Sequence, residues 1–181
     1  MSRTEWDAAL TLPVSEGRDH VQGPADAGVT LIEYGDYECP YCGAAYPIIK
    51  EVQTRMGERL RFVFRNFPIA TSHPHAGQAA EAAEAAAAQG RFWEMHDLLY
   101  ENQKLLRDED LRGYAEKLEL DVDLFDRELV EHVHAARVHD DFMGGVRSGV
   151  NGTPTFYING VRYDDSYDLE TLLAALERVA V

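Results

Sequence analysis

The sequence has little cysteine, with two Cys residues in 181. It also lacks a hydrophobic run that approaches the length of a transmembrane span. Near its start, Glu5, Trp6 and Asp7 stand where a signal peptide would need an uninterrupted apolar stretch. We therefore expect a cytoplasmic protein, in a compartment where structural disulfides are rare. A lone pair of cysteines there favours catalysis or metal binding over a permanent structural bridge.

Basic residues are also scarce, since 17 Lys and Arg stand against 32 Asp and Glu, a net charge of −15. This charge repels phosphate backbones and anionic lipids, so binding to nucleic acid or to a membrane surface is disfavoured. With 45% hydrophobic and 27% charged residues, the composition is that of a globular protein. The length fits one domain, or one domain with a substantial insertion.

Both cysteines lie in the motif C-P-Y-C at residues 39–42. The apolar run 29–35 before the motif predicts a buried strand, and the apolar spacing after it predicts a helix over about 39–56. Cys39 would then lie at a helix N-terminus, where unpaired N–H groups and the helix dipole favour a thiolate. We expect Cys39 to be a nucleophile and Cys42, one helical turn further along, to be the resolving thiol. Redox chemistry is the leading hypothesis.

The rest of the chain divides into an irregular lead-in, residues 1–27, and a main domain, residues 28–181. Alternating apolar residues in 59–67 predict a second strand, which completes a βαβ unit with parallel strands. Strand signals vanish over about 73–149 and helical patterns replace them. This stretch is far longer than one crossover connection needs, and we therefore expect an inserted helical subdomain there.

The C-terminal part has clear local signals. Thr155–Ile158 and Val161–Tyr163 predict two strands, and Asn159-Gly160 between them is a strong signal for a type I′ hairpin turn. Asp168 would then cap a closing helix with one apolar face.

The order of these features resembles the DsbA-like branch of the thioredoxin superfamily, and within it the thioredoxin_4 type, a group that also includes domains fused to sodium/proton antiporters. The likeness rests on C-P-Y-C after a strand, on the helical insertion, and on V-N-G-T-P-T-F at 150–156 before a hairpin. It implies an α/β thioredoxin fold, with a central mixed sheet, a βαβ unit, a C-terminal β-hairpin and helix, and an inserted helical subdomain.

The resemblance also implies an activity, that of a DsbA-like protein disulfide oxidoreductase. Cys39 would form a mixed disulfide with a protein or small-molecule thiol or disulfide, and Cys42 would resolve it. The reaction requires no metal or organic cofactor beyond the redox-active disulfide Cys39–Cys42, and a redox partner resets the dithiol. Glu33, in the predicted buried strand, matches an acid that the family keeps beneath its disulfide. A carboxylate in apolar surroundings has a raised pKa and can relay the proton that Cys42 loses.

Four further residues are implied to meet the substrate. Pro40 pre-organises the first helical turn, and Tyr41 contacts substrate and tunes the thiolate. Pro154 would be the cis-proline that presents the backbone of Thr153 to an extended substrate strand. A sequence by itself favours a trans bond at this position, so the cis isomer rests on the resemblance.

Other interpretations stay open. One is a non-catalytic thioredoxin-fold binding or chaperone module, which has no need of both thiols. Another is a glutathione-dependent transferase or isomerase of the kappa type, which normally lacks the second cysteine. A zinc site would need two more ligands, for which the pairs His73/His75 and His132/His134 are the candidates.

The histidine pairs are weak zinc ligands on sequence grounds. Residues two apart on a helix point away from each other, which argues against His132 with His134. His73 and His75, on either side of a proline, are expected to cap a helix or face solvent. Finally, three aromatic residues are expected at the rim of the active site: Tyr34, Tyr37 and Phe67.

Overall fold

The computed structural model describes residues 9–180, so the first eight residues of the predicted lead-in, with Glu5, Trp6 and Asp7, and also Val181 lie outside it. Within that range the elements in chain order are β1 (His20–Gln22), β2 (Val29–Gly35), α1 (Pro40–Met56), β3 (Leu60–Asn66), α2 (Ala76–Ala88), α3 (Phe92–Glu101), α4 (Asp108–Lys117), α5 (Val122–Val130), α6 (Ala135–Arg147), β4 (Thr155–Ile158), β5 (Val161–Tyr163) and α7 (Leu169–Val179). None of the helices in residues 9–180 is both long and apolar enough to cross a bilayer.

The strands form one mixed sheet in the order β1-β3-β2-β4-β5. All seven residues of the central strand β2 are buried. β2 pairs antiparallel with β4, which sets Glu33 opposite Phe156. β4 and β5 form the predicted hairpin, and its turn residues Asn159 and Gly160 have φ values of 49° and 81°. Both are in the left-handed region that a type I′ turn requires. The predicted thioredoxin fold class is confirmed.

Strand β1 was not predicted, because it lies inside the stretch interpreted as an irregular lead-in. It pairs antiparallel with β3, with His20 opposite Phe64, and forms one edge of the sheet. A strand of three residues is too short for a two-residue apolar period to show in the sequence. Part of the lead-in therefore belongs to the sheet.

The chain divides into two compact units. Within the described residues, the sheet unit comprises 9–35, Ala44–Arg65 and 143–180. The helical unit comprises Asp36–Gly43 and Asn66–Phe142, so it carries the C-P-Y-C motif as well as most of the inserted helices.

Helix α2 is central to the helical unit, where α3, α4 and α5 contact it. Its alanines are buried on most of its circumference: Ala76, Ala79, Ala80, Ala82, Ala83, Ala85 and Ala86. Alanine is a strong helix former, and its small side chain lets neighbouring helices approach closely. The alanine-rich composition of α2 is therefore explained both by helix propensity and by packing against neighbouring helices on several sides.

A buried ion pair lies in the sheet unit. Arg65, on β3, is 1% exposed and donates to the two carboxylate oxygens of Asp19 at 2.8 and 3.0 Å. It also donates to the hydroxyl of Tyr34 at 2.9 Å and to the carbonyls of Leu12 and Pro13. Burial raises the pKa of Asp19, but the hydrogen bonds and positive charge of Arg65 outweigh it and leave that pKa below its ordinary value. The segment before β1 is thus tied to the sheet.

Asp19→Ala is expected to reduce the free energy of unfolding by about 3–5 kcal/mol, because it leaves the Arg65 charge buried without its carboxylate. Urea denaturation at neutral pH measures the loss. Since the pKa of Asp19 is lower in the folded than in the unfolded state, the contribution of the pair is present at neutral pH and is lost as pH falls through the folded-state pKa.

The matched control is Glu170→Ala, which removes a carboxylate that is 78% exposed and lies 3.3 Å from Arg55. An exposed pair of this kind is expected to contribute less than about 1 kcal/mol. Equal losses in the two variants would contradict a dominant role for the buried pair.

Candidate active site

The loop between β2 and α1 places Cys39 at the N-cap of α1. The Cys39 carbonyl accepts a hydrogen bond from the N–H of Gly43 at 3.0 Å, the first of the helix, and the Cys39 N–H donates back to the Asp36 carbonyl at 3.1 Å. Pro40 is the first residue of the helix. This is the position predicted from the sequence, where the positive end of the helix dipole favours a thiolate.

The residues of the motif differ sharply in exposure. Cys39 is 3% exposed and Cys42 is 0% exposed, so both residues are buried and Cys42 has no accessible surface. Tyr41, between them, is 66% exposed, and Pro40 is exposed as well. The motif therefore presents Pro40 and Tyr41 to solvent and keeps the second thiol sealed.

The carboxylate of Asp36 stabilises this loop through hydrogen bonds, a role that was not predicted from the sequence. Its Oδ1 accepts the N–H groups of Glu38 at 2.8 Å and Cys39 at 3.2 Å. Its Oδ2 accepts the N–H of Ile69 at 2.8 Å and lies 2.7 Å from Nδ1 of His73. Asp36 is 1% exposed. The signal available in the sequence was an aspartate three residues before Cys39, where its side chain can accept backbone N–H groups.

Both histidines of the 73–75 segment contact the loop. The side chain of His75 is 45% exposed, in agreement with the expectation that these residues cap a helix or face solvent, whereas His73 departs from that expectation. His73 pairs with Asp36, and its side chain is 18% exposed. His75 precedes α2 but makes no side-chain capping bond. Instead its Nδ1 lies 3.0 Å from Oε1 of Glu38, and its backbone N–H donates to Oε2 at 2.6 Å. Two imidazoles thus face two carboxylates beside Cys39.

The pKa of His73 is raised above its ordinary value. Burial alone would lower that pKa, but the hydrogen bond to Asp36 and the negative charge of Asp36 outweigh burial. The charges of Cys39 and Glu38 raise the pKa further. Electrostatics therefore link His73 to the proposed nucleophile.

Gln103 supports the loop from the segment after α3. Its Nε2 donates to the carbonyls of Tyr37 at 2.9 Å and Cys39 at 2.8 Å. Gly43, in the first turn of α1, leaves room for this side chain, because a Cβ built on Gly43 would lie 1.9 Å from Oε1 of Gln103. Gln103 gave no signal in the sequence, since it is 64 residues from Cys39.

The three aromatic residues expected at the rim are buried instead, so that prediction is wrong. Tyr34 is 0%, Tyr37 1% and Phe67 4% exposed. The Tyr37 hydroxyl lies 3.0 Å from Nδ1 of His96, and Phe67 stacks on Phe142. Each of these rings is buried in the core and has a polar or aromatic partner there.

Three predicted site residues belong to the sheet unit. Glu33, on β2, is 2% exposed, which confirms the expected burial. The Thr153–Pro154 peptide bond is cis, and both residues are partly exposed just before β4. At the same bend the Thr155 hydroxyl donates to the Gly152 carbonyl at 2.7 Å.

The histidines considered as zinc ligands face different partners. His132 lies 3.1 Å from the carboxylate of Glu81, and His134 lies 2.8 Å from Glu128. In the part of the chain that the structure describes, no three His, Cys, Asp or Glu side chains form a cluster able to hold a metal ion.

Gly43→Ala is expected to lower the free energy of unfolding by about 1 kcal/mol. The new methyl group displaces Gln103, which loses two hydrogen bonds of about 1 kcal/mol each, and the better helix propensity of alanine offsets roughly half of that loss. Chemical denaturation measures the change.

Gly77→Ala in the first turn of α2 is the matched control, because no atom lies within 4 Å of its added Cβ. That variant should gain roughly 0.5–1 kcal/mol. In a Gln103→Ala background Gly43→Ala should become stabilising as well, and a loss that persists there would refute the contact with Gln103 as its cause.

Comparison with known proteins gives a family match over most of the chain. A family model described as thioredoxin, Thioredoxin_4, matches residues 15–178. Na(+)/H(+) antiporter NhaA 1 of Salinispora arenicola is 52% identical over 167 residues, which cover 92% of this chain and 26% of that protein. The chain thus spans about a quarter of the length of the curated relatives it matches.

Solved structures share the fold. BdbD from Bacillus subtilis, in its oxidised form, aligns with a TM-score of 0.81 at 24% identity and covers 96% of this chain and 98% of its own. α-DsbA1 from Wolbachia pipientis aligns with a TM-score of 0.76 at 19% identity, over 94% of each chain. The family match leads to one conclusion: the chain belongs to the Thioredoxin_4 family of thioredoxins, and it shares its fold with the solved structures of BdbD and α-DsbA1.

Proposed function

We propose that this chain is a thiol–disulfide oxidoreductase whose redox centre is the pair Cys39–Cys42. The observation that carries the proposal is the position of Cys39 at the N-cap of α1, with Cys42 sealed one turn further along. A thiol at a helix N-terminus has a lowered pKa and is the better nucleophile and leaving group near neutral pH. Since Cys42 has no accessible surface, Cys39 is the attacking thiol of this proposal.

The exchange proceeds in two balanced steps. The Cys39 thiolate attacks one sulfur of a substrate disulfide, so that a mixed disulfide forms, the substrate S–S bond breaks and the other substrate sulfur leaves as a thiolate. Cys42 then loses its proton, attacks the Cys39 sulfur and expels the second substrate sulfur as a thiolate. The substrate disulfide gains the two electrons that the pair Cys39–Cys42 loses. The reverse sequence oxidises a substrate dithiol.

The other predicted residues keep their roles within this proposal. Pro40 and Tyr41 contact the substrate, and their exposure supports that role. Thr153 and Pro154 bind the substrate backbone. Glu33 serves as a proton relay, and its burial in β2 supports that role. The substrates are protein or small-molecule thiols and disulfides, and a separate redox partner resets the pair. The centre needs no metal or organic cofactor.

Antiporter activity is not part of the proposal. The curated relatives carry that name as whole proteins, and the region matched by this chain is 26% of the protein from Salinispora arenicola. The cytoplasmic location expected from the sequence stays a prediction.

Cys42→Ser is expected to accumulate a covalent adduct with a glutathione-containing or peptide disulfide, because the mixed disulfide on Cys39 can no longer be resolved from within. Intact-mass spectrometry before and after a reductant measures the adduct. Cys39→Ser is the matched control and should give far less adduct, since Cys42 is sealed. A binding or chaperone module without exchange chemistry would give no reducible adduct in either variant, and that outcome would refute the proposal.

The reduction potential then assigns the direction of exchange. Equilibration of the wild-type protein with glutathione buffers of known ratio measures it. A potential near that of thioredoxin, about −270 mV, would support a reductase, and one near that of DsbA, about −120 mV, would support an oxidant.

A further inference from the structure

The loop that carries Cys39 contains an apparent electrostatic conflict. Asp36 shapes the loop by accepting two backbone N–H groups on Oδ1, one of them from Cys39 itself at 3.2 Å. Its side chain is 0% exposed, so water does little to screen its negative charge. A carboxylate bonded to the backbone N–H of Cys39 opposes ionisation of the thiol of that residue, because like charges in a poorly solvated site disfavour each other.

His73 resolves this conflict. Its Nδ1 lies 2.7 Å from Oδ2 of Asp36, which is not the oxygen that accepts the Cys39 N–H. The same Oδ2 accepts the N–H of Ile69, which fixes the start of the segment that carries His73. The imidazole is therefore held in place by the group whose charge it can cancel.

We propose that His73 is a charge-balancing and positioning residue of the active site, whose imidazolium neutralises Asp36 and so favours the thiolate form of Cys39. This inference rests on the proposed exchange function, which requires that thiolate. It adds a residue from the inserted helical region to the chemistry of a motif that lies 34 positions earlier.

The titratable groups around His73 support this direction. Asp36, Cys39 and Glu38 each act to raise the pKa of His73, and Glu38 is itself paired with His75. Coupling between two ionisable groups is reciprocal, so a Cys39 thiolate that favours protonated His73 is favoured by it to the same extent.

A redox-linked proton follows from the coupling. A substrate dithiol that reduces the Cys39–Cys42 disulfide gives up two electrons and two protons as its own disulfide forms. The electrons and one proton leave a thiolate on Cys39 and a thiol on Cys42, and the second proton passes to His73 or to solvent. The new negative charge raises the proton affinity of His73, whereas the neutral disulfide does not. The reduced protein should therefore hold a proton on His73 to higher pH than the oxidised protein does.

The first test measures the Cys39 titration directly. In a Cys42→Ser background one cysteine remains, and the ultraviolet absorbance of its thiolate as a function of pH gives the pKa of Cys39. Adding His73→Gln should raise that pKa by about half a unit to one unit, a three- to tenfold loss in the thiolate-to-thiol ratio. Adding His139→Gln, at an exposed histidine of α6, should leave it unchanged. An unchanged pKa in a folded His73→Gln variant would overturn the inference.

The second test does not depend on the folding of a His73 variant. NMR titration of the His73 ring in the reduced wild-type protein should give a higher pKa than the same titration in Cys39→Ser, which removes the thiolate charge and keeps His73. Equal values in the two proteins would refute the coupling.

A third arm isolates Asp36 as the charge that His73 balances. In an Asp36→Asn background, His73→Gln should shift the Cys39 pKa by less than it does in the native background. An equal shift in both backgrounds would overturn the part assigned to Asp36.

Failure of the inference and failure of the proposed function give different results. If the Cys42→Ser protein forms its disulfide adduct normally but His73→Gln leaves the Cys39 pKa unchanged, then the inference is wrong and the proposed function stands. If no adduct forms although the Cys39 pKa responds to His73, then the coupling is real and the proposed exchange function fails.

Discussion

Four donors converge on the carboxylate of Asp36, namely the N–H groups of Glu38, Cys39 and Ile69 and the imidazole of His73. A buried carboxylate that loses such partners bears the full cost of its desolvation, so the fold is required to keep the Asp36 carboxylate hydrogen-bonded. The position of Cys39 at the start of α1, and with it the whole proposed chemistry, depends on that requirement. Every other feature of the loop is compatible with it.

Residues that follow β3 form part of the active site. Ile69 and His73 meet the loop through Asp36, and Gln103 meets it through the carbonyls of Tyr37 and Cys39. The helices behind them are packed around the alanine-rich α2. A C-P-Y-C motif is a local sequence feature, but the charge and the hydrogen bonds around its first sulfur come from residues well beyond it. Proteins with this motif can therefore differ in thiolate stability without differing in the motif.

The elements that were predicted correctly are those whose sequence signals lie within a few neighbouring residues. The buried run 29–35 became β2, and Asn159-Gly160 forms the hairpin turn. Asp168 caps α7 by accepting the N–H of Thr171 at 3.1 Å. The failures share another cause. β1 is stabilised by pairing with β3 and has no apolar pattern of its own that predicts a strand. Aromatic residues predicted at the rim of the active site, such as Tyr37, are buried in the core, where they contact partners such as His96.

The sequence by itself determined the two thiols, the helix that begins beside the first of them and the burial of Glu33, and the fold class followed from the family resemblance that its motifs carry. Apolar period, turn residues and caps act over a few neighbouring positions, so they can be recognised without coordinates. Only the tertiary structure decided which side chains surround Cys39. His73 is 37 residues from Asp36, and Gln103 is 64 residues from Cys39. Hydrogen bonds and charges act through space, and no local pattern records which distant residue the fold brings within 3 Å.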